Sequence, residues 1–260
     1  MTEELREIAP LLPLLEHRPL VLLSDIDGTL AAIVPHPEDA RVTPRARECL
    51  HSLIEAGVRV AFVTGRPLEV ARRMVGIEGP WFAANHGLDL FVEGRRETPE
   101  EVRPYVSWAR DVLREIGTID FPGVLIEDKG AILAFHYRRS DDEGGALAAI
   151  KLAVARSEAA RRFRVQEGRK VYELRPPLAI DKGTAARSLA ERMGAAAVLA
   201  MGDDVTDLRM FEEVRGMALP GAVIGVWNEE APEVVESADW FVRGVTGVEW
   251  LLGELVGAIR

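Results

Sequence analysis

Cysteine is almost missing from the 260 residues: Cys49 stands alone. No internal disulfide and no cysteine-based metal site can therefore be built, and a reducing, cytoplasmic location is the expectation that follows. Lysine is scarce as well, occurring only at Lys129, Lys151, Lys170 and Lys182, so arginine supplies most of the positive charge. Acids outnumber bases by 42 to 32, for a net charge of −10. Such a chain lacks the basic face a nucleic-acid partner needs, and an anionic ligand must be met by locally arranged positive groups. No apolar run approaches the roughly 20 residues of a membrane helix, so no membrane partner is expected. The opening Met1–Arg6 is acidic where a secretory leader is basic, and a leader is not expected. No heptad run advertises a protein partner.

What is present suits one large domain or a domain carrying an insertion, with 48% hydrophobic and 28% charged residues. Leu20–Ser24 is a short apolar run that ends in Asp25-Ile26-Asp27-Gly28-Thr29-Leu30. It reads as a buried parallel strand, and alternation sends Asp25 and Asp27 out of its carboxyl end on the same side. Before it, Glu3–Leu15 carries a helical pattern. After it, Thr43-Pro44 caps a helix that runs to Gly57. Val58–Val63 is a strand, Leu68–Val75 a helix, Trp81–Ala84 a strand, and Leu88–Val92 half of a hairpin. Such β-loop-α repetition predicts a right-handed parallel sheet.

The alternation stops near Thr98. Residues 101–178 read as a separate α+β domain: a helix over Pro99–Ile116, a hairpin of Val124–Glu127 with Ala131–Tyr137, a helix over Glu143–Ala160, and a hairpin of Phe163–Val165 with Val171–Leu174. After Pro176-Pro177 the rhythm resumes. A helix opens at Asp181, strands follow at Ala197–Met201, within Met217–Val226 and at Trp240–Val242, and Val245–Ile259 closes the chain as a helix. The expected architecture is α/β, a Rossmann-like core of residues 1–100 and 179–260 with the α+β domain inserted.

Four polar clusters fall at the carboxyl ends of core strands or at the start of the next helix: Asp25/Asp27, Thr64-Gly65-Arg66, Lys182, and Asp203/Asp204/Asp207. Each alone has a structural explanation, as a turn, a cap or a solvated charge. Together they lie at the edge where open α/β sheets bind ligands. Gathered carboxylates make a hard oxygen site for Mg²⁺, one carboxylate can attack phosphorus, and Thr64 with loop amides can hold phosphoryl oxygens. Lys182 supplies a point charge, and Asp27 is placed to exchange a proton with the leaving group. The chemistry this suits is phosphoryl transfer.

The run Asp25-Ile26-Asp27-Gly28-Thr29-Leu30, Thr64, Lys182 and Gly202-Asp203-Asp204-Val205-Thr206-Asp207 resembles the four motifs of the haloacid dehalogenase (HAD) superfamily of phosphatases. The resemblance implies Asp25 as nucleophile and Asp27 as general acid/base. It also implies Mg²⁺ on Asp25, the Asp27 carbonyl and Asp203, with Asp207 acting through water or by orienting Lys182. The insertion is similar to the C2-type cap of that superfamily. Within it, Glu127-Asp128-Lys129-Gly130, His136-Tyr137-Arg138 and Glu173-Leu174-Arg175-Pro176 resemble trehalose-6-phosphate phosphatases, as does Asn85-His86-Gly87 in the core. That implies a small-molecule sugar phosphate as substrate, with Glu127, Lys129 and Glu173 on the distal sugar and Arg66, Asn85, His86 and Gly87 near it. Leu208-Arg209 departs from the family's usual Glu-Asp after the fourth motif, and Thr64 stands where serine is frequent. A sucrose-, glucosylglycerate- or mannosylglycerate-type phosphate, or a non-catalytic phosphosugar-binding role, stays open at this point.

Overall fold

A computed structural model describes residues 2–259, the side chain of Pro37 excepted. In chain order the first elements are strand β1 (Glu3–Glu4), helix α1 (Leu12–Leu15), β2 (Leu20–Ser24), α2 (Pro44–Glu55), β3 (Arg59–Val63), α3 (Leu68–Val75), β4 (Trp81–Ala84), β5 (Asp89–Val92) and β6 (Arg95–Glu97). Then come α4 (Arg103–Ile116), β7 (Leu125–Asp128), β8 (Leu133–His136), α5 (Glu143–Arg156), β9 (Arg164–Gly168) and β10 (Val171–Arg175). The remainder is α6 (Lys182–Arg192), β11 (Ala197–Gly202), α7 (Leu208–Arg215), β12 (Gly221–Trp227), α8 (Pro232–Glu236), β13 (Trp240–Arg243) and α9 (Gly244–Ile259). They form two compact units, one comprising the chain through Glu97 and from Ile180 onward, the other Thr98–Ala179.

The first unit is built on a sheet of order β1-β13-β12-β11-β2-β3-β4-β5-β6. All pairings from β1 to β4 in that order are parallel, and β5 and β6 add an antiparallel edge. β2 is buried along its whole length, because helices cover both faces. Leu20 and Leu22 pack with α2, α3 and α9, while Val21 and Leu23 pack with α6, α7 and α8. From β2 the chain steps to β3 and β4 on one side. From β11, on β2's other side, it steps to β12 and β13. The reversal falls between β2 and β11, the kind of switch point at which open α/β sheets bind ligands.

The second unit carries a four-stranded antiparallel sheet, β7-β8-β10-β9. Leu133, Phe135, Tyr172 and Leu174 on one face pack against Ala109 and Val112 of α4 and Ile150 of α5. Among the described residues, no helix is long and apolar enough to cross a membrane.

Several elements differ from the sequence expectation. Glu3-Glu4 is a strand on the edge of β13, where unpaired backbone groups win over helical propensity. Pro99–Val102 forms a turn before α4, and Pro104 then sits in the first helical turn, where a missing N–H costs nothing. α5 stops at Arg156 rather than Ala160, because Ser157 is extended. Its hydroxyl donates to Glu115 at 2.6 Å and accepts the Ala160 N–H, a local competitor of helix continuation. α8, opened by Pro232, had no counterpart in the expectation.

Candidate active site

At the end of β2 the Asp25 N–H still bonds the Met201 carbonyl of β11. The chain then turns sharply: the amides of Leu30 and Ala31 both donate to Ile26 O, and Gly28 has φ of 78°. A Cβ at Gly28 would lie 1.9 Å from Asp203 Oδ2, so only glycine allows this close approach. The same turn buries Thr29, whose hydroxyl donates to Asp203 Oδ1 at 3.1 Å.

β11 delivers the second set of acids. The amides of Asp203 and Asp204 both donate to Asp207 Oδ2 at 3.1 Å. Its other oxygen accepts Lys182 Nζ at 2.8 Å, and Lys182 also reaches Asp25 Oδ1 at 2.8 Å. Lys182 is the first residue of α6, bracketed by the capping box of Asp181 before it and Thr184 after it. Its side chain is 4% exposed and that of Asp207 0%. Asn228, past β12, donates to the Asp203 carbonyl at 2.7 Å and to Oδ2 at 3.3 Å.

Asp25, Asp203 and Asp207 bring carboxylate oxygens within 4.8 Å of one another, all buried. Three negative charges face one ammonium, an excess that a buried site does not tolerate without a cation or protons. Burial pushes the Asp25 carboxyl well above its ordinary range against the pull of Lys182, and Asp207 and Asp203 push it further. Asp203 is pushed up to about 7, by burial first and then by Asp207. For Lys182, burial works against the charge, but Asp207 and Asp25 outweigh it and hold the ammonium firmly protonated. A clustered all-oxygen donor set with excess negative charge fits a hard divalent cation.

Asp27 stands apart from this cluster. Its two oxygens accept Arg66 Nη2 at 2.5 Å and Nε at 2.8 Å, a bidentate pair. The sequence expectation sends Asp25 and Asp27 out of the strand on the same side; the alternation of β2 ends at Ser24, and the turn beyond it brings the Asp27 carboxylate to Arg66, just past β3. Thr64, buried just past β3, accepts the Arg66 N–H on its hydroxyl at 3.2 Å. Asn85 and His86 donate their amides to Arg66 O and Thr64 O, lacing the loops after β3 and β4 together. Asn85, His86 and Gly87 all have positive φ, and a Cβ at Gly87 would come within 2.8 Å of Ala185 on α6.

In the second unit, strand register sets Glu127, Ala134, Glu173 and Gln166 in a row on the sheet face opposite its core. Lys129 Nζ lies 3.2 Å from Glu173 and 3.7 Å from Glu127, and His136 Nε2 lies 2.9 Å from Glu127. Neither motif nor spacing assigns a side-chain role to His136, Thr29 or Asn228. His136 could have been found from the hairpin register, which puts it next to Glu127's partner Ala134. Nothing local in the sequence marks Asn228 beyond its being a turn-former after a strand.

Residues 23–245 match the profile of a family described as trehalose-phosphatase. A trehalose-phosphate phosphatase of Mycobacterium avium is 37% identical over 217 residues, 79% of this chain and 54% of that protein. An uncharacterised glycosyl hydrolase of Mycobacterium tuberculosis is 37% identical over 221 residues, 76% of this chain but 15% of that protein. The chain thus spans about half the length of the first relative, or less of the second. Among solved structures, a trehalose-6-phosphate phosphatase of Aspergillus fumigatus superposes with a TM-score of 0.67 at 26% identity, covering 99% of both chains.

Proposed function

The chain belongs to the trehalose-phosphatase family, of HAD fold, and we propose that it is a Mg²⁺-dependent phosphatase that hydrolyses trehalose 6-phosphate to trehalose and phosphate. The observation that carries this reading is the buried Asp25–Lys182–Asp207–Asp203 cluster at the sheet's switch point. Asp25 and Asp203 would hold the cation, together with the Asp27 carbonyl, with Asp207 behind them acting through water or through Lys182. Bound there, Mg²⁺ would neutralise the carboxylates and draw charge from the phosphoryl oxygens.

Asp25 is the nucleophile. Lys182 occupies its Oδ1, which leaves Oδ2 to attack phosphorus as the phosphorus–sugar oxygen bond breaks. Asp27 gives the departing oxygen its proton, then takes one from the water that hydrolyses the aspartyl-phosphate. Arg66 clasps both Asp27 oxygens, so the pair must open before Asp27 meets the departing oxygen. Thr64 and the loop amides steady the phosphoryl oxygens. Asp207 acts mainly as a positioning residue, fixing Lys182 and the amides of Asp203 and Asp204.

The unit of residues 98–179 is the cap. Its row of Glu127, Lys129 and Glu173 offers carboxylates and an ammonium to sugar hydroxyls, each able to bind several. A reducing, cytoplasmic setting suits the single cysteine. The test is phosphate release from trehalose 6-phosphate with Mg²⁺. Asp25→Asn should fall by roughly a thousandfold or more, and wild-type release no higher than that variant's would sink the activity. Faster release from sucrose or glycosylglycerate phosphates in the same assay would replace the substrate.

A further inference from the structure

Asn228 lies outside every motif of the chain, yet its amide is committed at both ends. Oδ1 accepts the N–H groups of Glu230 and Ala231, each at 2.9 Å, at the approach to α8. Nδ2 donates to the Asp203 carbonyl and approaches its Oδ2. The reverse amide orientation would set oxygen against the carbonyl and carboxylate of Asp203 and NH₂ against two N–H donors, so the hydrogen bonds define which end is which. β11 and β12 run side by side with Gly202 opposite Gly225, and the continuation of β12 carries Asn228 over the residue that follows Gly202.

Asp203 needs such a holder. Its carboxylate is crowded by Asp207 and Asp25 in a buried site, so repulsion favours rotation away from the cluster. Thr29 restrains Oδ1, and Asn228 restrains Oδ2 and the backbone behind it. Both donors are neutral. They direct the carboxylate without placing a positive charge where a cation would bind, as an arginine or lysine in their place would. Each carboxylate oxygen keeps a further lone pair for a ligand.

We propose that Asn228 is a positioning residue of the cation site: by fixing Asp203 it preorganises the carboxylate cluster and sets its affinity for a divalent cation. The proposal rests on the reading above that Asp203 is a cation ligand. It is tested by calorimetric titration of Mg²⁺ into the wild type, Asn228→Ser and Asp203→Asn, with melting curves of each in chelator. Serine still offers an acceptor to the Glu230 and Ala231 amides but does not reach Asp203. Mg²⁺ affinity should fall roughly tenfold in Asn228→Ser, the scale of lost outer-sphere partners, with metal-free melting close to wild type. An unchanged affinity overturns the proposal, and a melting loss equal with and without Mg²⁺ assigns Asn228 a purely structural loop role. Unaltered affinity in Asp203→Asn, or no binding by the wild type, instead removes the underlying reading and the proposal with it. If Asn228→Ser does not fold, Asn228→Gln displaces the amide by one methylene and is read in the same titration, with the same expected fall and the same overturning result.

Discussion

Lys182 is the one cation inside a nest of acids, and its removal leaves Asp25 and Asp207 facing each other uncompensated. Breaking a buried pair from one side costs about 3–5 kcal/mol. Lys182→Met is expected to lose stability on that scale in metal-free denaturant melts; a loss within the range of an ordinary surface change would show that the cluster is already protonated. Asp203 makes the pH dependence explicit. Its folded pKa of about 7 lies above the ordinary 3.8, so the native state binds the proton more tightly than the unfolded chain. The stabilisation is present below pH about 4 and is lost as pH rises to about 7. The metal-free protein should therefore weaken over that window by on the order of a few kcal/mol, and Asp203→Asn should flatten the decline. Added Mg²⁺ should restore stability more at the upper end than the lower, since ligands bind metal deprotonated. At this scale the sequence showed the acids, Thr64 and Lys182, because residue type and spacing announce chemistry. It did not show that Arg66 clasps Asp27 or that Asn228 holds Asp203, 25 residues away. Those contacts depend on which loops the sheet order makes neighbours.

Among the elements, α6 does the most for the site, since its first residue is Lys182 and its second is Gly183. A Cβ on Gly183 would meet the Arg209 carbonyl of α7 at 2.6 Å, a backbone atom that cannot turn aside. Gly183→Ala is expected to force α6 and α7 apart and to cost about 1–3 kcal/mol, read by chemical denaturation. No change would mean that the helices slide freely. α3 and β4 begin and end where periodicity places them, because both are framed by strong signals: Pro67 and Gly76 around α3, Pro80 before β4. Glu3-Glu4 and the end of α5 escaped the pattern. The first is decided by an exposed sheet edge, the second by a single serine hydroxyl that finds Glu115 from another helix.

Across the whole molecule, the unit of residues 98–179 has a hydrophobic core of its own, from Ala109 and Val112 through Phe135 and Ile150 to Leu174. A segment with its own core can fold alone. Expressed by itself, it should unfold in one cooperative denaturant transition, and Mg²⁺ should raise the melting temperature of the full chain but not of this segment. A broad, non-cooperative profile would mean that the unit depends on the rest of the chain.

Local signals were legible in the sequence alone. Apolar runs closed by Asp, Thr and Gly mark strand ends, Thr43-Pro44 and Asp181–Thr184 mark helix starts, and the spacing of acids and one scarce lysine marks the candidate site. Tertiary structure alone decided who meets whom. The order in which parallel strands pair is set by how two helical layers bury both faces of the sheet, and no periodicity encodes it. That order places β2 beside β11, which gathers Asp25, Asp203, Asp207 and Lys182 into one buried charge cluster, leaves Asp27 to Arg66, and sets Asn228 over Asp203.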